Sequence, residues 1–236
     1  MLKKLLTSAV VLVVVIGAAF WWFIIRSDEP AELSVGDDTS ASEPTGETPE
    51  TLDGTWTVQT GGDTTAGFRI TESFAGGLTD HVAVGRSDEV AGSIEVGGSE
   101  VTKGSFTIDL TALAFDDDPG LPVANRVNAM ADRGLQIDTF PEATFELTAP
   151  VDFGEAPTPG AVVTAEATGD LTIHGVTKEV TFTIEAKRQG TELLVATADP
   201  VPVVLADFDI EKPTGGPIAE IADEGSFEFL VVLAAA

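Results

Sequence analysis

Residues 171–186 read LTIHGVTKEVTFTIEA. Val180, Phe182 and Ile184 alternate with Glu179, Thr181, Thr183 and Glu185. A period of two puts one set of side chains on an apolar interior and the other in water, which describes a half-buried antiparallel strand. Upstream, Leu171 and Ile173 lead into a turn at Gly175. By parity His174 points away from those two residues, outward, and reads as a turn residue bonded to backbone.

The same alternation recurs on both sides of this segment. Phe106, Ile108 and Leu110 alternate with Ser105, Thr107 and Asp109, and Phe145 and Leu147 with Thr144 and Glu146. Phe227 and Phe229 alternate with Ser226, Glu228 and Leu230. Glycine turns fall between the runs, giving roughly eight to eleven strands, the spacing of a sandwich or a barrel. The inward set is Phe68, Phe106, Ile108, Phe145, Leu171, Ile173, Phe182, Ile184, Phe227 and Phe229. These residues either pack as a core or line a ligand pocket. One stretch differs: PVANRVNAMADRGLQ (122–136) spaces Val123, Val127, Met130 and Ala131 as a helix does, with Gly134 as its expected C-terminal cap. It is read as a lid on a barrel end or as a crossover.

Composition removes many activities. Twelve Lys and Arg against 39 Asp and Glu give a net charge of −27, which repels phosphate backbones and excludes general nucleic-acid binding. No cysteine is present, so disulfides, thiolate metal sites and cysteine nucleophiles are absent. The two histidines, His81 and His174, lack ligand spacing for zinc, and His81 sits in a polar segment read as exposed. Asp116-Asp117-Asp118 lacks the spaced ligands of a calcium loop and is read as a solvated acidic loop. No nucleophile elbow, P-loop or dinucleotide fingerprint occurs, so no enzyme activity, cofactor or metal is expected. Arg126 and Arg133 are two of nine basic residues in 52–236, against 31 acidic ones. They suit either a pyrophosphate or quinone headgroup or salt bridges to nearby carboxylates.

Leu5–Ile25 is a run of 21 uncharged residues preceded by Lys3 and Lys4 and ending in bulky Phe20-Trp21-Trp22-Phe23-Ile24-Ile25. Its length as a helix, about 31 Å, suffices to cross a bilayer core. Residues 1–26 are therefore expected as an uncleaved transmembrane anchor in the cytoplasmic membrane, with a cleaved signal as the alternative. The positive-inside rule puts the N-terminus in the cytoplasm and the rest outside it. Residues 27–51, with eight acidic residues and three prolines, read as a disordered, solvated linker. The remaining 52–236 form one domain.

LTIHGVTKEVTFTIEA, together with RGLQIDTFPEATFEL (133–147) and the closing ADFDIEKPTGGPIAEIADEGSFEFLVVL (206–233), resembles the YceI-like family of polyisoprenoid-binding, lipocalin-like barrels of bacterial envelopes. The resemblance spans 52–236 in order. It implies an all-β fold: an eight-stranded antiparallel barrel with a short helix and an apolar cavity holding an isoprenoid chain, such as a polyprenyl phosphate or isoprenoid quinone. The ten inward residues, with Arg126 and Arg133, are the ligand-binding candidates. The alternative is an envelope interaction domain with a filled barrel and no lipid ligand.

Overall fold

The computed structural model describes residues 29–36, 51–75, 80–117, 126–155, 157–213 and 218–236. These form β1 (Gly54–Val58), β2 (Thr65–Phe74), β3 (His81–Ser87), β4 (Val90–Gly97), β5 (Glu100–Asp109), β6 (Ala114–Phe115) and β7 (Glu142–Leu147). They continue as β8 (Val151–Asp152), β9 (Val162–Ile173), β10 (Val176–Gln189), β11 (Glu192–Thr197), β12 (Val201–Val204) and β13 (Ile218–Ala235). Every strand pairing in the sheet is antiparallel.

The order β1-β4-β5-β7-β9-β10-β11-β13 closes on itself through β13–β1, making an eight-stranded barrel. Closure leaves the eight barrel strands paired all round. Strands β2, β3 and β6 continue the sheet from β13, and β12 also pairs with β13. The strands outnumber those read from alternation because β6 and β8, two residues each, are too short to show it.

Strands β9 and β10 are joined at His174 and Gly175, whose φ values of 53° and 74° are the paired left-handed conformations of a tight hairpin. His174 does not point outward into water as parity predicts. The turn brings the imidazole under Phe140, with ring centroids 4.4 Å apart, and Nδ1 lies 3.2 Å from the Phe208 carbonyl. The side chain is buried, although its bond to backbone is as expected.

The short helix α1 (Arg126–Ala129) widens into a π turn over Met130–Gly134. Residues 122–125 of the expected helix lie outside the described residues. Gly134 does not reverse the chain; a Cβ there would sit 2.9 Å from the Met130 sulfur, so a side chain there would displace the methionine. The left-handed exit comes at Gln136, with φ 49°.

Glu29–Gly36 was expected as solvated linker and instead lies on the outside of the barrel. Val35 is fully buried among Leu194, Ala196, Leu230 and Val232. Beside it, the buried Glu228 carboxylate accepts hydrogen bonds from Arg69 Nε (3.0 Å), Arg86 Nη2 (2.7 Å) and the Leu33 amide (3.2 Å). Arg69 also pairs with Glu29 at 2.7 Å, and Arg86 Nη2 donates to the Ala31 carbonyl at 2.6 Å. The segment thus brings a charge and carbonyl acceptors to two arginines that one glutamate would not balance. Residues 37–50 and 1–28, including the expected anchor, lie outside the described residues. Among the described residues, no helix is long and apolar enough to cross a membrane.

Candidate functional site

The inward faces of the strands leave space between them. They enclose a cavity of about 180 Å³ whose lining is almost wholly apolar. All ten apolar residues chosen from alternation line it. The reason is periodicity: on a closed sheet every second residue faces the axis, so strand parity alone selects the lining.

Phe182 on β10 is central. Its ring meets Phe145 of β7 at 5.4 Å and Phe227 and Phe229 of β13 at 5.2 and 6.2 Å, all edge-on. Such contacts hold aromatic rings in defined orientations. Two glycines make room for rings of the lining. A Cβ on Gly85 would lie 2.5 Å from the Phe68 ring, and one on Gly169 would lie 2.4 Å from Phe145. Any side chain at either position would collide with its phenylalanine.

One end of the cavity reaches Gly98, Ser99 and Glu100 at the β4–β5 turn, together with Pro157. At the other end a smaller cavity of about 80 Å³ shares Phe68, Leu135, Ile173 and Phe227 with the larger one. Met130 and Gly134 from the π turn line this smaller space, so the helical stretch covers the end of the barrel as a lid does.

Arg133 does not join this site. Arg133 is exposed and lines neither cavity, because the π turn presents Met130 and Gly134 inward in its place. The side chain of Arg126 lies outside the described part of the molecule. The alternation reading also missed Ala186, Leu193, Val195 and Val231, which line the cavity as well. Around Leu193-Leu194 and Leu230–Leu233 alternation disappears because Glu29–Gly36 buries the outer face too.

His81 and the acidic loop also differ from expectation. His81 is half-buried, its Nε2 2.7 Å from Asp117 Oδ2, and Asp117 Oδ1 accepts the Val84 amide at 2.8 Å. Asp117 is therefore a buried anchor of the loop and not part of a solvated run.

A closed antiparallel barrel around an apolar cavity with a lid at one end defines the class: a lipocalin-like barrel. The model of the YceI-like domain matches residues 56–233, and the chain belongs to that family. A polyisoprenoid-binding domain from Saccharophagus degradans, implicated in plant cell wall breakdown, is 17% identical with a TM-score of 0.58. The match covers 77% of this chain and 98% of that one. The Campylobacter jejuni YCEI protein is 16% identical over 64% of this chain and 84% of its own, with a TM-score of 0.49. Two UPF0312 proteins of Pseudomonas putida are each 43% identical over 58 residues, 25% of this chain and 27% of theirs. The chain thus matches about a quarter of the length of these curated relatives.

Proposed function

We propose that this protein is a binding protein, not an enzyme, that holds a polyisoprenoid in the barrel cavity. A polyprenyl phosphate or an isoprenoid quinone would lie with its tail among Phe68, Phe145, Phe182 and Phe227. The cavity carries this reading: it is hollow, it is lined by carbon, and its walls come from strands around the whole barrel. Such a surface gains about 25 cal/mol for each Å² of apolar ligand it covers and offers a charged group no compensation. The name of the Saccharophagus degradans neighbour supports the choice of an isoprenoid over other apolar chains.

We further propose that Met1–Arg26 anchors the protein in the cytoplasmic membrane, N-terminus inside, with the barrel outside the cytoplasm. Lys3, Lys4 and the uncharged run Leu5–Ile25 support this orientation. An alkaline phosphatase fusion after Ala236 is then active, and an N-terminus sequenced between residues 18 and 30 refutes the anchor. For the ligand, native mass spectrometry of the full chain taken from its own membranes should show one bound isoprenoid per chain. Its absence there, together with no uptake of any added polyprenol or quinone by the delipidated protein, refutes lipid binding. In that case an envelope interaction domain takes its place.

A further inference from the structure

We propose that Glu72, His81 and Asp117 form a binding site for a divalent transition-metal ion, separate from the lipid cavity. Glu72 and His81 are register partners on β2 and β3, so the antiparallel pairing sets their side chains on one face, directly opposite each other. Asp117 follows β6, whose pairing with β3 brings the loop back over the same place. One ligand atom from each of the three lies within 4.8 Å of the other two. Donors that share an ion at about 2.0–2.2 Å stand roughly 3–4 Å from one another, so small adjustments close the shell.

Three further features favour an ion over a simple histidine–aspartate pair. The first is burial: Glu72 and the Asp117 carboxylate are shielded from water, and His81 is largely so. Two carboxylates at this separation repel strongly in a poorly screened environment. A divalent ion placed between them relieves that repulsion. The second is orientation: the Val84 amide holds Asp117 Oδ1 at 2.8 Å and so turns the carboxylate toward His81. Contacts of this kind fix ligands in metal sites. The third is the donor set. One imidazole nitrogen and two carboxylates, without sulfur, suit Zn²⁺, Mn²⁺ or Fe²⁺ and disfavour Cu⁺. No local motif announces the site, because positions 72, 81 and 117 meet only through strand pairing.

Neither Glu72, His81 nor Asp117 lines either apolar cavity. The inference therefore stands or falls independently of lipid binding. The test uses the full chain and Zn²⁺, titrated in physiological salt with excess Mg²⁺ to occupy the many surface carboxylates. Only two histidines exist, so their ring resonances report directly. Zn²⁺ should saturate at one ion per chain, shift the His81 ring signals and leave those of His174 unchanged. Glu72→Gln and Asp117→Asn should each weaken binding about tenfold or more. Asparagine keeps the oxygen that accepts from Val84, so Asp117→Asn preserves the loop. If Zn²⁺ leaves the His81 signals of the wild-type chain in place, or if both folded variants bind it as the wild type does, the site is only a histidine–aspartate hydrogen bond beside a buried glutamate. The wild-type spectrum decides the matter even where a variant does not fold.

Discussion

Ala186 offers a direct test of whether the barrel is open for a ligand. It is 1% exposed, yet its methyl group faces the cavity. Ala186→Leu adds three carbons to this wall. If the space beside it is empty, those carbons fill it and gain about 0.8 kcal/mol each, roughly 2.4 kcal/mol in all. For a domain of this size that raises Tm by about 5–10 °C. The same volume is then lost to a lipid, which must withdraw a similar length of chain and lose a similar free energy, roughly fifty-fold in Kd. Stability and affinity therefore move in opposite directions. The assay pairs urea melts of the delipidated chain with a titration by a polyprenol. If the interior were filled, the leucine would be overpacked, and stability would fall by about 1–3 kcal/mol. A destabilised variant with unchanged lipid affinity refutes an open cavity at this position.

Three other outcomes follow from the structure. Glu228→Ala leaves Arg69 and Arg86 without the carboxylate they share and should cost about 3–5 kcal/mol in urea melts; a loss below 1 kcal/mol means that Glu29 and the carbonyl acceptors suffice. Val35→Asp should release Glu29–Gly36 and lower the melting of the barrel, whose arginines and outer apolar face the segment covers. Loss of hydrogen-exchange protection at the Leu33 amide reports this, and retained protection refutes it. The Asp109 carboxyl accepts the Thr111 hydroxyl and then the Thr111 amide, which lowers its pKa below the ordinary 3.8. A depressed folded pKa means that its stabilisation is present above the unfolded value and is lost as pH falls through the folded one. An NMR titration should place the midpoint below 3.8 and Thr111→Val should move it upward; a wild-type midpoint at or above 3.8 contradicts the assignment.

Much of the fold was legible from residues two apart. Alternation at Phe106, Ile108, Phe145, Phe182 and Ile184 is a local property, and a strand has only two faces, so the inward set followed before any strand was paired. The turn at Gly175 and the bond of His174 to backbone were legible for the same reason. Other features depended on distances between residues remote in the chain. Whether the rings packed around Phe182 fill the axis or leave space beside them depends on the circumference set by barrel closure through β13–β1. Parity placed His174 outward, and only the packing of Phe140 and Phe208 across the hairpin buries it. The runs Leu193-Leu194 and Leu230–Leu233 show no alternation, and by themselves they cannot say what covers their second face. The answer is Val35, some 160 residues earlier in Leu194's case, in a segment whose acidic, proline-containing composition read as linker. Composition measures how much apolar surface a segment carries on average. A single valine in a matching groove, with Glu29 against a buried arginine, is below what that average can register, and it is the folded barrel that supplies both partners.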